Sequence, residues 1–309
     1  MAYKCVVWGI GNDYEIVINQ LQFEVCKGNV EVVALVARQQ DVIGKKLDGY
    51  SIILKEELKD IQFDYVVITS SLYYQEIRRQ AIELGIDGNI IINGAVMNLP
   101  LFDFSRYTSL LKNRITILSD DCWGGYVYHR LFLQFYSPLI NIYWQKDAFV
   151  KFIQKPVYYL NKPLEMEREG NIRGGICPVG SLGEGNERVC MEFVHSFCFE
   201  DAKRLWDKRR ERMNFNNMFI KLGLDASMEG NENLLRAFSG VKQKKICFYS
   251  GETEVEDVLY LKRFEKFVRS GSRVDTIKYH DYIRNLNWLL KSVDILKLLN
   301  GEKDFLRED

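Results

Sequence analysis

The first hundred residues alternate short apolar runs with stretches whose apolar positions recur at helical spacing. Lys4 to Trp8, Val30 to Val36, Tyr65 to Ser70 and Asn89 to Ile92 read as strands, and Asp13 to Cys26 and Tyr73 to Leu84 read as helices. Strands separated by amphipathic helices predict a parallel sheet with right-handed crossovers. The mixed segment Asn98 to Lys112, with Pro100, reads as a linker.

A second alternating series follows. It predicts strands over Ile115 to Ser119, Leu139 to Trp144, Arg188 to His195, Met218 to Leu222 and Lys245 to Tyr249. Helices are expected over Tyr126 to Phe135, Asp147 to Leu160, Phe199 to Met213, Glu232 to Phe238, around Val258 to Phe267, and Trp288 to Leu299. Cys177 to Asn186, punctuated by Gly180, Gly183 and Gly185, reads as a loop. The fold class is therefore α/β: a Rossmann-like parallel-sheet domain over 1–112, then a second α/β domain over 113–309. No repeat of fixed period and no low-complexity tract interrupts it.

Composition narrows the function classes. Lysine plus arginine balances aspartate plus glutamate at 42 each, so no net field draws the chain to nucleic acid or anionic lipid. The N-terminal run lacks a signal-peptide pattern, and no apolar run approaches the roughly 18 residues of a membrane span. The expectation is a cytoplasmic protein without direct membrane insertion. Seven cysteines without a C-x-x-C pair read as reduced thiols. Three histidines without H-E-x-x-H speak against a metal site, and the absence of G-x-S-x-G speaks against serine hydrolysis.

Candidate chemistry falls in three places. Trp8-Gly9-Ile10-Gly11-Asn12-Asp13 puts Gly9 and Gly11 where a chain must turn tightly and approach a phosphate at a helix N-terminus. The third glycine of a dinucleotide fingerprint is replaced by Tyr14, and the second strand ends in Ala37-Arg38 without an acidic residue for a ribose. NAD is disfavoured; Arg38 is free to meet a phosphate or simply be solvated. The cofactor is not identified.

Cys122 lies where a strand hands over to a helix, and His195 closes the apolar run Val189 to Val194. If the two meet, the histidine can deprotonate the thiol, with Asp120 or Asp121 orienting the imidazole. A buried thiol and a satisfied histidine are the plain alternative. Finally, Arg209 falls within the apolar face of its helix, with Arg212 flanking it. A guanidinium aimed at a core needs either a carboxylate such as Glu192 or an anionic ligand.

Val6-Val7-Trp8-Gly9 through Asp64-Tyr65-Val66-Val67-Ile68-Thr69 resembles the Rossmann-like modules of bacterial sugar-modifying enzymes. That resemblance implies a nucleotide or nucleotide-sugar at Gly9, Gly11 and Thr69 to Ser71. From about residue 113 the chain resembles an uncharacterised bacterial domain family associated with exopolysaccharide biosynthesis. The carriers include Cys122-Trp123-Gly124-Gly125, Tyr136-Ser137-Pro138, Cys177-Pro178-Val179-Gly180, Phe193-Val194-His195, Arg209 and Arg212, and Asn216-Asn217-Met218. Asp121 departs from the asparagine more usual there. That family lends no reaction, so the candidates remain those of the residues themselves: Cys122, His195 and Asp121 as site residues, and Gly124, Gly125, Arg209, Arg212 and Asn217 as ligand contacts.

Together these readings make the chain an expected transferase of surface-polysaccharide assembly acting on a nucleotide-activated sugar. The two alternatives are a Cys/His hydrolase or acyltransferase, and a non-catalytic nucleotide-binding or scaffolding protein.

Overall fold

A computed structural model gives the structure of the chain and describes residues 2–38, 42–172, 175–226, 228–260, 290 and 293–306. Two compact units divide it. The first is Met1–Lys112 with Asp294–Asn300 and Asp304–Arg307; the second is Asn113–Val293 with Gly301–Lys303 and Glu308–Asp309.

The first unit runs β1 (Tyr3–Trp8), α1 (Tyr14–Cys26), β2 (Val30–Val36), β3 (Lys46–Leu47), β4 (Tyr50–Ile53), β5 (Tyr65–Ile68), α2 (Tyr74–Glu83), β6 (Ile91–Asn93) and α3 (Phe104–Lys112). The sheet order is β3-β4-β2-β1-β5-β6, with β3 antiparallel to β4 and every other pair parallel. Counting only the parallel strands, that is the 3-2-1-4-5 arrangement of a doubly wound Rossmann-type sheet. Cys5, Val6, Val7 and Trp8 are all buried, so both faces of β1 are covered, which is why its apolar run is continuous and not alternating.

Three departures from the sequence reading have local causes. Asp48-Gly49, both at positive φ, turns β3 back as β4, a hairpin overlooked in the sequence. Most of the expected linker is helix: α3 buries Phe104, Tyr107, Thr108 and Leu110. Its start is tied to α1, because the buried Glu24 carboxylate accepts from Phe104 N (3.2 Å) and Asn29 Nδ2 (2.9 Å). The described part of the C-terminal helix, Ile295–Asn300, belongs to this unit and not to the second, and Asn300 Nδ2 donates to Arg106 O at 3.2 Å.

The second unit runs β7 (Thr116–Ser119), α4 (Trp123–Arg130), α5 (Lys146–Gln154), α6 (Pro156–Leu160), β8 (Glu165–Ile172), β9 (Gly175–Leu182), β10 (Val189–Glu192), α7 (Phe199–Arg210), β11 (Met218–Leu224), α8 (Asn231–Ser239), β12 (Lys244–Tyr249) and β13 (Val258–Tyr260). Strands β13-β12-β11-β7 form one parallel sheet; β10-β9-β8 form an antiparallel one. A single apolar cluster joins them, from Leu118, Ile220 and Leu222 through Trp144, Phe149 and Phe152 to Leu182, Met191 and Trp206.

The expected loop over Cys177 to Asn186 is mostly strand β9. Its glycine serves packing: a Cβ on Gly180 would lie 2.8 Å from Leu164 Cδ1 and 2.9 Å from Phe193 Cε2. The expected strand over Leu139 to Trp144 is irregular, since Asn141 stands at φ +64° and only Tyr143 bridges to β10, at Glu192. Pro156 cannot continue a helix, so α5 and α6 are separate. Helix α4 starts three residues before its expected first turn and ends at Arg130, Phe132 standing at φ +52°. Val258–Tyr260 is strand, not helix; the rest of that expected helix, and Trp288 with the residues up to 289, lie outside the described residues.

Candidate functional site

In the first unit the strand order reverses between β1 and β5, and the loops following those strands bound the crevice where open α/β sheets take ligands. Gly9 turns the chain at φ +113°, and a Cβ there would stand 2.6 Å from Thr69 Oγ1. Thr69 Oγ1 donates to Gly9 O at 2.9 Å, joining the two loops. Glycine is thus required at position 9. Gly11 is exposed with nothing within 4 Å of a Cβ, so its lack of a side chain leaves open space in front of α1.

Asp13 stands at the N-cap of α1, but its side chain accepts no bond from that helix; its Oδ2 accepts from Ser71 N at 2.8 Å. A carboxylate therefore already sits at the positive end of the α1 dipole. Arg38 is exposed just after β2. The Glu76 carboxyl, on the first turn of α2, is held low first by bonds from Arg79 and Gln80 and to a lesser extent by the charge of Arg38. Leu72 and Tyr73 on the rim are 82% and 59% exposed. A cavity of about 1020 Å³ lies at the opposite end of this sheet, among Lys4, Lys55, Asp64, Asp87 and Ile90, away from these loops.

In the second unit, the residues that follow β7 meet a lysine of β11. Lys221 Nζ donates to Asp120 Oδ1 and Asp121 Oδ2, both at 3.0 Å, and Lys146 at the start of α5 pairs with Asp120 Oδ2. All four side chains are buried. Asp120 Oδ2 also accepts from Gly223 N (3.2 Å), while Asp121 Oδ1 accepts from Trp123 N (2.9 Å) and Ser119 Oγ (3.1 Å). Burial pushes the Asp121 carboxyl up, but Lys221 and Lys146 outweigh it and hold the group well below the usual carboxylate range. Burial likewise pulls Lys146 down, and Asp120 and Asp121 more than reverse that. Two carboxylates and two ammoniums close their charges on one another. Such a group ties β7 to β11 and to the starts of α4 and α5.

This arrangement corrects the expected role of Asp121, which caps α4 and pairs with Lys221 and is not oriented toward an imidazole. Cys122 is buried beside it, at 9% exposure. His195 is exposed in the turn between β10 and α7, and no hydrogen bond joins it to Cys122 among the described residues. Gly124 lets α4 close on β7, where a Cβ would meet Ile117 Cγ2 at 3.2 Å, and Gly125 would meet only ordinary contacts. Asn217 ties loops together: its Nδ2 donates to Asn113 O (3.1 Å) and its Oδ1 accepts from Lys244 Nζ (2.6 Å).

The arginines lie elsewhere. Arg209 is half-buried; its Nη1 donates to Ile140 O at 3.2 Å, and its guanidinium carbon lies 5.5 Å from the Phe135 ring centre. Its expected carboxylate partner Glu192 is not what holds it. Arg212 lies one turn on, its N donating to Arg209 O at 3.2 Å, and burial, then the charge of Arg212, lower the Arg209 pKa. Arg212 is close enough to Tyr128 to act on its hydroxyl, and that hydroxyl bonds to Ile115 O (2.7 Å) and Ile117 N (2.9 Å) where β7 begins. Cys122 follows the other end of β7. Among the described residues no hydrogen bond joins the thiol, the imidazole and the Arg209 guanidinium to one another.

Sequence reasoning passed over Lys146 and gave Lys221 no role. Lys221 was readable as a charge inside Met-Phe-Ile-Lys-Leu-Gly-Leu, a strand buried at every position, where an ion must have partners. Lys146, on an exposed-looking helix start, carried no such mark. Among the described residues no group of three or more His, Cys, Asp and Glu is placed to hold a metal, and no helix is long and apolar enough to cross a membrane.

Known proteins similar to this chain add a family. A stretch of 207 residues is 26% identical to an uncharacterized protein of Haemophilus influenzae, covering 64% of this chain and 95% of that protein. Among solved structures, D-galactose-1-dehydrogenase of Rhizobium etli is 12% identical with a TM-score of 0.25, over 81% of this chain and 98% of that one. A Gfo/Idh/MocA family oxidoreductase of Vibrio cholerae is 14% identical with a TM-score of 0.23, over 62% and 68%. Structural likeness that slight carries no argument about chemistry. Residues 1–92 match the model described as C2185-like, N-terminal. Residues 93–299, two thirds of the sequence, match the model described as Domain of unknown function (DUF1919), and the chain belongs to that family.

Proposed function

We propose that the chain is a transferase of surface-polysaccharide assembly that takes a nucleotide-activated sugar, with the nucleotide in the crevice of the first unit. One observation carries the reading: the parallel strands stand in 3-2-1-4-5 order, and Gly9 makes the turn at the switch point with Gly11 leaving open space before α1. Backbone amides and the helix dipole there favour a phosphate. Arg38, exposed just after β2, supplies a cation, and Asp13 is the carboxylate that an incoming phosphate displaces from Ser71 N. The Cys/His hydrolase alternative has no geometry in its favour, given a buried Cys122 and an exposed His195.

The test is calorimetric titration of the full chain with nucleoside diphosphates and nucleoside-diphosphate sugars, followed by assay of nucleotide release from whichever sugar nucleotide binds. Gly11→Leu is expected to fold as the wild type, since nothing lies within 4 Å of its Cβ, and to lose binding. Asp13→Asn is expected to tighten it. Binding without release sinks the transferase and leaves a nucleotide-binding protein. Binding unaltered by Gly11→Leu, or no binding at all, sinks the assignment of the crevice.

A further inference from the structure

We infer that the second unit holds a separate phosphoryl-binding site built on Arg209 and Arg212. The reasoning starts from charge. Arg212 follows Arg209 by one turn, its N donating to Arg209 O at 3.2 Å, and desolvation and the charge of Arg212 act on Arg209 together. Like charges brought together in a partly dry place are unfavourable unless an opposite charge joins them. No carboxylate among the described residues pairs with either one. Arg209 spends one N–H on Ile140 O and lays its flat face over Phe135, which fixes the fork and leaves its other N–H groups uncommitted. The Nε of Arg212 is buried with no hydrogen-bond partner.

The acidic groups nearest in sequence do not fill the gap. Asp207 is engaged by Lys203 at 3.0 Å, and Glu211 is exposed. What the pair lacks is one small, doubly charged acceptor with several oxygens. A phosphate matches two charges and several donors at once, and the planar fork of arginine suits it better than a lysine would. Free phosphate and a phosphate monoester present the same dianion.

Because this pair stands in the second unit and shares no residue with Gly9 or Gly11, it does not rest on the nucleotide reading. Gly11→Leu therefore leaves it intact.

The experiment uses the full chain as wild type, Arg212→Gln and Arg209→Lys. Inorganic phosphate and glucose 1-phosphate are each titrated against sodium chloride of equal ionic strength, read by thermal unfolding and by calorimetry. In the wild type, phosphate is expected to raise the unfolding midpoint above the chloride control, as any ligand of the native state does. Arg212→Gln should lose that rise. In chloride alone it should unfold no lower than the wild type, because the substitution removes a repulsion. Arg209→Lys keeps the charge without the fork and should bind about tenfold or more weakly. Glucose 1-phosphate binding as well as phosphate identifies a monoester as the occupant, and phosphate alone identifies the free ion. Equal midpoints in phosphate and chloride, or the same phosphate response in Arg212→Gln, overturn the site. So does a midpoint in chloride that drops by several degrees in that variant, which would make Arg212 a structural support.

Discussion

Replacing Lys221 by methionine tests the buried charge group at the ends of β7 and β11. The side chains are close in volume, so the change removes charge more than packing. Lys221 is fully buried and touches two carboxylates at 3.0 Å. Without it Asp120 keeps Lys146 and Gly223 N, but Asp121 keeps only Ser119 Oγ and Trp123 N beside it. Removing one partner of a buried ion pair destabilises by about 3–5 kcal/mol, because the other charge is left unpaired. Two orphaned bonds place this case at the upper end, and for a unit of this size the midpoint should fall by roughly 10 °C or more. Tryptophan fluorescence follows the loss, since Trp123, Trp144 and Trp206 are buried in this unit and Trp8 in the first.

The pH dependence has a definite sign. In the wild type Asp121 is depressed in the folded state, so its contribution is present above the unfolded carboxylate pKa and fades only as pH falls through the lower folded value. In Lys221→Met the same carboxyl is buried without its main cation and rises above its unfolded value. The variant must then gain stability relative to the wild type as pH falls from 8 to 5, when a proton replaces the missing ammonium. Asp121→Asn added to Lys221→Met should restore part of the loss at neutral pH. A variant within about 1 kcal/mol of the wild type, flat across that pH range, would refute the claim that these charges hold the strand ends together.

Two further outcomes are expected. Alkylation of the native chain should modify the exposed Cys26 and Cys198 first, with Cys122 and Cys247 protected until unfolding; rapid selective labelling of Cys122 would revive the thiol as a reactive group. Gly180→Ala should destabilise by about 1–3 kcal/mol in urea unfolding, since the methyl group meets Leu164 and Phe193 inside 3 Å, and a neutral result would mean β9 packs differently.

How far the sequence spoke depended on whether a residue's environment was local. β5 and β11 are buried at every position and β1, β2 and β12 over at least three consecutive ones, so composition alone marks these apolar runs as strands of a covered parallel sheet. Gly9 was legible too, because the turn after β1 needs a positive φ whatever lies beyond it. The antiparallel β8 and β9 were not: β8 is polar, β9 is broken by glycines and a proline, and the need for Gly180 comes from Leu164 and Phe193, both more than ten residues away. Cys122, His195 and Arg209 were each noticed for a sound reason, a helix start, a strand end and a charged position on an apolar face. Whether they meet depends on which ends of the strands they occupy. Arg209 lies in the last turn of α7 and Arg212 just beyond it, near the Tyr128 hydroxyl at the start of β7, while Cys122 follows the end of β7. The pair Asp120 and Lys221 is 101 residues apart, and only strand register joins them.

The nucleotide in the first unit's crevice is the central claim, and one calorimetric comparison reaches it most directly: nucleoside-diphosphate sugars titrated into wild-type and Gly11→Leu chains whose unfolding midpoints match. The account predicts saturable binding to the first and none to the second. Equal binding by both, or heat from neither, contradicts it.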